Sequence, residues 1–363
     1  EPTDRKSLAG WAVTRNFVIL NELDNVKNRL FELQRKDGKW QRRAIALPGL
    51  GTVGISAVDA DDSDDYFLTI TDFLTPSTLF LGKAGTDARQ ALKALPAFFD
   101  ASPFSVEQFE TASKDGERIP YFVIAGKNLK RDGSNPTLLY GYGGFEVSQL
   151  PNYSPTIGNA WLANGGVYVV ANIRGGGEFG PRWHQAGLKA NRQRVFDDFI
   201  AVAEDLVARK ITSPKHLAIS GGSNGGLLVG AVATQRPELF KAVVCSVPLL
   251  DMRRYNKLLA GASWVAEYGN PDDPKEWEFI SKYSPYQNVK PGVKYPKFLF
   301  VTSTRDDRVH PGHARKMMAR MLEQGHEAMY YENTEGGHAA SANNQQLAYR
   351  TALMYSFLLG ELR

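Results

Sequence analysis

The most constraining feature of the sequence is a short glycine-rich stretch with a serine at its centre. The apolar run Leu217–Ile219 is typical of a buried strand, and Leu227–Ala233 is typical of a helix. Between them, Gly221–Gly225 matches the G-x-S-x-G pattern of a nucleophile elbow, in which a serine lies on a sharp turn between strand and helix. Small neighbours are needed because the two backbones pass close to a strained serine. The stretch predicts that Ser223 is a nucleophile and that the Asn224 N–H points at the group it attacks.

The alternative interpretation of this stretch is a glycine-rich turn that binds a phosphate. A P-loop requires a Lys-Ser or Lys-Thr pair directly after the glycines. No such pair follows Gly225, so the sequence excludes a P-loop.

Length and composition set broad limits on the function. The 363 residues allow two or three domains, and 43% hydrophobic with 23% charged residues is an ordinary globular balance. The net charge of +4 is small, and no basic stripe with interleaved aromatic residues is present, so no nucleic-acid partner is expected. No apolar run reaches membrane-spanning length and no signal peptide is visible, so we expect no membrane partner and a cytoplasmic or periplasmic location. The single cysteine, Cys245, excludes an internal disulfide and is expected to be a small core residue.

The first hundred residues have the pattern of antiparallel β-structure. Short β-rich runs separated by Asp, Gly, Pro and Ser clusters occur at Phe17–Leu20, Arg29–Leu33, Ile55–Ala60, Tyr66–Ile70 and Ser77–Leu81. They fit two four-stranded units, which is about two β-propeller blades. We therefore interpret residues 1–100 as the last part of a β-propeller and expect further blades to be missing from this chain.

Residues 101–363 alternate between strand and helix patterns. Strands are predicted at Thr137–Tyr140, Val167–Asn172, Ala242–Ser246, Pro296–Val301 and Ala328–Tyr331, and helices at Val195–Ala208, Pro311–Glu323 and Gln345–Leu359. This alternation indicates an α/β domain with a mostly parallel sheet that is covered on both faces. Active sites of such sheets lie at the carboxyl ends of the strands, where Ser223 is predicted to be.

A nucleophilic serine needs a base and a residue that orients the base. In α/β-hydrolases the acid follows the serine and the histidine comes last. His338 follows the final strand on a glycine-containing loop that we expect to be flexible. Asp306 and Asp307 follow the preceding strand and are both candidates for the acid, while Asp251 is the runner-up.

The other histidines fit the role of the base less well. His326 precedes the last strand, His216 opens the elbow strand, and His184 precedes the serine after a glycine-rich loop. His310 and His313 have a spacing that could suggest a metal, but no third ligand is evident, so surface or capping roles are expected.

Five stretches occur in one order along the chain: Tyr140–Phe145, Ala171–Glu178, Gly221–Gly226, Asp306–Val309 and Gly336–His338. Together they resemble the prolyl oligopeptidase family of serine peptidases. The resemblance extends over essentially the whole chain and implies an α/β-hydrolase domain at residues 101–363, capped by a β-propeller. The activity that it implies is cleavage of short peptides after proline.

The resemblance also assigns roles to residues. It implies that Ser223 is the nucleophile, Asp306 the acid and His338 the general base. It implies that the Tyr142 hydroxyl donates to the oxyanion alongside the Asn224 N–H. The position of Tyr142 agrees with this, because the residue lies between glycines after a strand and its polar tip has no obvious core role.

The substrate pocket is implied by the same resemblance. Arg308 resembles an arginine that binds a substrate carbonyl, although a salt bridge to Asp306 or Asp307 is an alternative. Trp264 resembles the indole that stacks on the substrate proline. The remaining pocket residues are Phe145, Leu249, Tyr268 and Val309, for which ordinary core packing is the alternative. A flat, uncharged pyrrolidine ring fits an aromatic slot, whereas a peptidase specific for Lys or Arg needs buried carboxylates.

The expected partners are a proline-containing oligopeptide substrate and the missing N-terminal propeller segment of the same protein. No metal or organic cofactor is expected. A related oligopeptidase, an acyl-aminoacyl peptidase or an esterase on the same fold remains an alternative. A non-catalytic interaction protein is a further alternative, against which the complete set of Ser223, Asp306 and His338 argues.

Overall fold

The computed structural model describes residues 3–363, which form two compact units. The first contains the chain up to Ser105 together with Leu150–Asn159 and Glu178–Pro181. The second contains Val106–Gln149, Ala160–Gly177 and Arg182–Arg363.

The first unit contains two four-stranded antiparallel sheets, each with its strands in sequence order. The strands of the first sheet are β1 Lys6–Val13, β2 Val18–Asp24, β3 Lys27–Lys36 and β4 Lys39–Ile45, and those of the second are β5 Thr52–Ala57, β6 Asp65–Thr71, β7 Thr78–Lys83 and β8 Arg89–Ala94. Two four-stranded units were predicted, and this prediction is confirmed.

Alternating burial along the central strands builds a shared core in this unit. In β2 and β6 every second residue is buried, which is the period of a strand with one face in a core. The buried cluster consists of Ile19, Leu30, Ile45, Val53, Tyr66, Leu68, Ile70 and Ala84. The Asn21 side chain donates to the Val53 carbonyl at 2.8 Å and so joins the two sheets by a buried hydrogen bond.

One predicted strand ends earlier than expected. The run Ile55–Ala60 was predicted to be extended, but β5 ends at Ala57. The Asp59 carboxylate accepts hydrogen bonds from the backbone N–H groups of Asp61 at 2.9 Å and Asp62 at 3.1 Å. This local turn, which aspartate commonly forms, competes successfully with the strand.

The second unit is built on an eight-stranded sheet with the order β16-β15-β14-β13-β11-β12-β10-β9. Its strands are β9 Phe104–Ala112, β10 Arg118–Gly126, β11 Thr137–Tyr140, β12 Val167–Ala171, β13 Leu217–Gly222, β14 Ala242–Ser246, β15 Lys297–Ser303 and β16 Ala328–Asn333. The six strands from β11 to β16 pair with one another in the parallel direction, and β10 pairs with β12 in the antiparallel direction. The predicted mostly parallel sheet is confirmed.

Eight α-helices accompany the strands among residues 3–363: α1 Pro181–Gln185, α2 Gln193–Ala208, α3 Asn224–Gln235, α4 Val265–Tyr268, α5 Pro274–Ile280, α6 Pro285–Asn288, α7 Gly312–Glu323 and α8 Asn344–Leu362. In α2 the apolar side chains recur at helical spacing and are buried. Helix α8 begins earlier than predicted because the Asn343 side chain accepts from the Gln346 N–H at 3.0 Å and caps the first turn. None of the helices in this part of the chain is long and apolar enough to cross a bilayer.

The parallel strands bring four distant segments to one edge of the sheet. The carboxyl ends of β11, β13, β15 and β16 lead into the segments that carry Tyr142, Ser223, Asp306 and His338, respectively. Ligands and reacting groups of open α/β sheets collect at this edge.

Candidate active site

Ser223 lies on a strained turn directly after β13. Its backbone angles are φ 59° and ψ −116°, a region that costs a non-glycine residue about 1–3 kcal/mol. The Ser223 N–H donates to the Ser246 carbonyl at 2.9 Å, and the Ser223 carbonyl accepts from the Gly226 N–H at 2.9 Å. These bonds hold the serine between the strand and the helix, which is the geometry of a nucleophile elbow.

Glycine is required around this turn because neighbouring backbones leave no room for a side chain. A Cβ atom on Gly221 would overlap the backbone of Gly225, and one on Gly226 would lie 2.5 Å from the Pro248 Cβ. Helix α3 begins at Asn224, three residues before the predicted start at Leu227, so that Gly225 and Gly226 lie inside its first turn.

Two hydrogen-bond donors were predicted for the oxyanion, the Tyr142 hydroxyl and the Asn224 N–H. The Ser223 side chain is among the groups that influence the pKa of the Tyr142 phenol. Burial raises the pKa of Tyr142 above its ordinary value, against the opposing positive charges of Arg192 and Arg308. The phenol is therefore protonated and able to donate at neutral pH. Asn224 is the first residue of α3, where the N–H groups have no acceptor within the helix.

Asp306 and His338 form a carboxylate–imidazole pair. His338 Nδ1 lies 2.8 Å from Asp306 Oδ2 and 3.0 Å from Oδ1. The Asp306 side chain is 0% exposed, whereas that of His338 is 16% exposed. Asp306 Oδ1 also accepts from the N–H groups of Arg308 at 3.0 Å and Val309 at 2.9 Å. The carboxylate is therefore held by two backbone donors and engages the Nδ1 side of the imidazole.

The loop that carries the histidine is held by side chains on both sides, although glycines had suggested a flexible loop. The Ser303 hydroxyl donates to the Gly336 carbonyl, and Asn333 Oδ1 accepts from the Gly336 N–H at 2.6 Å. The Arg350 guanidinium on α8 donates to the Ala339 carbonyl. These bonds restrict the position of the imidazole.

The runner-up acid has other partners. Asp251 is buried, and its carboxylate accepts from the Gln287 side chain at 2.7 Å, pairs with Arg254 at 3.3 Å and contacts the Lys316 ammonium. Asp251 is therefore not the partner of His338, and the interpretation of Asp251 as the acid is wrong. Asp307, the other candidate, is exposed to solvent.

The pair His310 and His313 serves backbone groups. His310 Nδ1 accepts from the Gly312 N–H at 2.9 Å, next to the start of α7. His313 is buried, and its Nδ1 accepts from the N–H groups of Leu250 at 3.2 Å and Asp251 at 3.0 Å. Burial lowers the pKa of His313 to about 4. Residues 3–363 contain no group of three or more His, Cys, Asp or Glu side chains arranged to hold a metal ion.

The structure brings two of the predicted pocket residues together. The rings of Phe145 and Tyr268 meet edge to face, with centroids 5.8 Å apart. Tyr268 is fully buried, and its hydroxyl donates to Asn224 Oδ1 at 2.7 Å. Trp264 is half-buried at the end of a short 3₁₀ helix, Leu259–Trp264, that runs directly into α4.

The remaining predicted pocket residues lie on the loops after β14 and β15. Leu249 and Val309 are each 2% exposed. Arg308 is exposed, and its positive charge acts on the Tyr142 phenol. Cys245 is buried in β14 as predicted, and burial raises the pKa of its thiol.

A buried group of charged residues beside the elbow was not predicted from the sequence. Arg192 is fully buried, and its Nη1 donates to Glu267 Oε1 at 2.8 Å. Its Nη2 donates to Asn224 Oδ1. His184 Nε2 lies 2.7 Å from Glu267 Oε2. No sequence signal pairs Arg192 with Glu267, because the two residues are 75 positions apart and belong to no shared motif.

Comparison with protein families gives two matches along the chain. The model of the prolyl oligopeptidase family matches residues 153–363, and the model of the prolyl oligopeptidase N-terminal beta-propeller domain matches residues 1–94. The chain therefore belongs to the prolyl oligopeptidase family, a family of serine-type endopeptidases. Its fold is an α/β-hydrolase domain preceded in sequence by antiparallel β-propeller blades.

Individual relatives support this assignment. An uncharacterized peptidase of Sinorhizobium fredii is 52% identical over 361 residues, which cover 99% of this chain and 50% of that protein. The prolyl endopeptidase of Elizabethkingia miricola is 40% identical over 343 residues, which cover 93% of this chain and 48% of that protein. A solved structure from a mechanistic study of two prolyl endopeptidases matches with a TM-score of 0.93 at 41% identity, covering 99% of this chain and 53% of that one.

These matches correct one expectation about partners. We expected residues 1–100 to be only the last blades of a propeller, with a missing N-terminal propeller segment acting as a partner. The propeller-domain model matches residues 1–94, so propeller sequence is present in this chain. The chain spans about half the length of the curated relatives that it matches.

Proposed function

We propose that the protein is a serine endopeptidase that cleaves short peptides on the carboxyl side of proline. The observation that carries the proposal is the buried Asp306–His338 pair, at 2.8 Å, on the same sheet edge as a strained Ser223. A nucleophile, a base and a residue that orients the base are the minimum that serine catalysis needs.

The reaction proceeds through an acyl-enzyme. His338 takes the Ser223 proton as Oγ attacks the prolyl carbonyl carbon, and Asp306 holds the imidazole in the correct tautomer and stabilises the imidazolium. The Tyr142 hydroxyl and the Asn224 N–H donate to the oxyanion. His338 then gives its proton to the leaving amine, and a water molecule, activated by the same histidine, releases the acyl group and regenerates the serine.

Specificity for proline rests on the aromatic character of the pocket residues. Phe145, Tyr268 and Trp264 offer flat apolar surfaces that suit a pyrrolidine ring, and Leu249 with Val309 adds aliphatic surface. The Glu267 carboxylate, next to Tyr268 in the chain, is already bonded to Arg192 and His184. It is therefore not free to pair with a substrate lysine or arginine. Arg308 is proposed to bind a substrate carbonyl from its exposed position. The name of the Elizabethkingia relative agrees with this preference.

The test is hydrolysis of a short blocked Gly-Pro amide by the wild-type chain and by Ser223→Ala, with the alanine analogue as the control substrate. We expect cleavage of the proline substrate only, and a fall of roughly 10⁵-fold or more in the variant. Cleavage of both substrates, lost in the variant, would keep the hydrolase and contradict the proline pocket. Equal activity of wild type and variant would contradict the nucleophile.

A further inference from the structure

A closed ring of hydrogen bonds joins the oxyanion loop to the residue after the nucleophile. Glu267 Oε1 accepts from the Phe145 N–H at 3.0 Å and from Arg192 Nη1 at 2.8 Å. Arg192 Nη2 donates to Asn224 Oδ1, and Asn224 Nδ2 donates to the Tyr142 carbonyl at 2.6 Å. Tyr142 and Phe145 belong to one short loop, so the ring closes through the backbone. We call this the Glu267–Arg192 ring.

The ring is shielded from water. Arg192 and Asn224 are fully buried, and the Glu267 side chain is 5% exposed. In such surroundings hydrogen bonds between charged groups are strong, and an unpaired charge is costly. The Arg192 guanidinium also lies 5.0 Å from the centre of the Tyr268 ring. The guanidinium is therefore held through its two Nη atoms, by Glu267 and by Asn224.

The loop that the ring holds does not have a relaxed backbone. Phe145 has φ 55° and Glu146 has φ 59°, which is the left-handed region that non-glycine residues rarely adopt. The bond from the Phe145 N–H to Glu267 is made at this strained position. At the next residue upstream, a Cβ on Gly144 would lie 2.6 Å from Asn224 Nδ2, so the loop and the amide are in close contact.

The ring touches both parts of the machinery assigned above. Through Asn224 and Tyr142 it reaches the two oxyanion donors, and through Phe145 it reaches the aromatic pocket. Glu267 directly precedes Tyr268 in α4, and Tyr268 supplies the second aromatic side chain of that pocket. A displacement of either charged residue therefore moves the donors and the pocket together.

Building on the proposed function, we propose that Glu267 and Arg192 are positioning residues. They set the distance between the oxyanion donors and Ser223, and they hold Phe145 against Tyr268. Neither side chain takes part in proton transfer. A positioning role predicts that replacing either residue displaces Tyr142 and thereby lowers kcat. An error of about 1 Å in the placement of a catalytic group can cost roughly 100-fold in rate.

A double-mutant cycle between Glu267→Gln and Tyr142→Phe tests this role. Each single substitution is expected to lower kcat on the Gly-Pro amide by about 100-fold. If Glu267 acts by placing Tyr142, the double variant falls well short of the product of the two losses, because there is no hydroxyl left to misplace. Multiplication of the two losses would overturn the proposal.

The matched control is Asp205→Asn in the same unit. Asp205 is also a largely buried carboxylate with an arginine partner, Arg209 at 2.8 Å, and a second donor, the Tyr121 hydroxyl at 2.5 Å. Its loss is expected to leave kcat within about 2-fold and to combine independently with Tyr142→Phe. Equal losses of kcat in Glu267→Gln and Asp205→Asn would show a merely structural role.

Arg192→Lys gives a second variant in case Glu267→Gln does not fold. The substitution keeps the buried charges balanced but removes the planar fork that spans Glu267 and Asn224. Its folding is checked by thermal unfolding, and kcat is expected to fall about 10-fold. When Arg192→Lys is combined with Tyr142→Phe, the loss of kcat should again be smaller than the product of the two single losses. Wild-type kcat in a folded Arg192→Lys would overturn the proposal.

A final readout separates this inference from the proline preference. Labelling of Ser223 by a fluorophosphonate needs the serine and the oxyanion donors but no proline pocket. A wild type that is labelled but does not cleave the Gly-Pro amide contradicts the proposed specificity alone. In that case the double-mutant cycle is measured with labelling rates in place of kcat. Labelling rates that are the same in wild type and Glu267→Gln contradict the positioning role alone.

Discussion

Two aspartate–histidine combinations lie in the second unit, and they have opposite properties. Asp306 directs both carboxylate oxygens at His338, whose side chain keeps 16% exposure. Asp251 directs its carboxylate at Lys316 and Gln287, while the buried His313 accepts from the backbone N–H groups of Leu250 and Asp251. The same residue types therefore build a candidate base in one place and a loop support in the other.

The difference lies in what each imidazole nitrogen faces. A general base needs one nitrogen oriented by a carboxylate and the other open to the reacting proton. His338 has the first of these and is accessible. His313 uses Nδ1 to accept hydrogen bonds from two backbone N–H groups inside the core. Burial lowers the pKa of His313 to about 4, so its imidazole is neutral at physiological pH and has a structural role.

Replacement of the two histidines gives the largest expected contrast. His338→Gln should lower kcat/KM on the Gly-Pro amide by roughly 10⁵-fold, because the base is removed. His313→Leu should leave the rate within about 3-fold while lowering the free energy of unfolding by about 2–4 kcal/mol, since two buried N–H groups lose their acceptor. Rates are measured by amide hydrolysis and stabilities by urea unfolding. A similar loss of rate in both variants would contradict the different roles assigned to His338 and His313.

Replacement of the two aspartates gives the next effect. Asp306→Asn should lower kcat by about 10⁴-fold with little change in KM, because the imidazole loses the carboxylate that orients it. Asp251→Asn should leave kcat within about 10-fold and cost about 1–3 kcal/mol of stability, because Lys316 loses its partner. Steady-state kinetics of both variants against wild type decide the matter, and a larger loss of kcat in Asp251→Asn would reverse the assignment.

The pH dependence of stability sharpens the comparison further. His313 has a folded-state pKa of about 4 against 6.5 in the unfolded chain, so between these values the unfolded state binds more protons. Stability therefore rises with pH across this window, and about 3 kcal/mol present above pH 6.5 is lost as the pH falls towards 4. Urea unfolding at several pH values should show a steeper slope for wild type than for His313→Leu. Parallel slopes would contradict the buried neutral histidine.

The smallest effect is expected at Asp307, the neighbour of the proposed acid. Asp307→Asn changes an exposed residue, so kcat should stay within about 2-fold and stability within about 0.5 kcal/mol. Steady-state kinetics of Asp307→Asn and Asp306→Asn, measured side by side, compare the loss of kcat at the two neighbouring positions. A fall comparable to that of Asp306→Asn would mean that the loop presents either carboxylate to His338.

Much of the fold could be predicted because it follows from local patterns. The two four-stranded units, the parallel sheet and the helix over 195–208 were visible in the spacing of apolar residues. Errors fell at element ends, where a side chain competes with the backbone pattern. The Asp59 turn ended β5 early, and Gly225 and Gly226, which had suggested a break, lie inside the first turn of α3.

The candidate site was predictable to the extent that chain order and sheet geometry determine it. Residues after consecutive parallel strands meet at one edge, so Ser223, Asp306 and His338 were expected there. The residue pattern alone left Asp306 and Asp307 both open, because the choice depends on the direction in which each side chain leaves the turn, and the family resemblance was what selected Asp306. The N–H groups of Arg308 and Val309 settle that direction by binding the Asp306 carboxylate.

The amino-acid sequence by itself determined the elbow, the order of the proposed catalytic residues and the class of fold, because short-range spacing and the glycine requirement operate within a few residues. Tertiary structure alone decided which charges meet. Arg192 donates hydrogen bonds to Glu267 and Asn224, which lie in distant parts of the chain, and His313 accepts one from the backbone N–H of Leu250. Such pairings depend on burial, since an ion or imidazole removed from water must satisfy its hydrogen bonds with whatever the fold brings within reach.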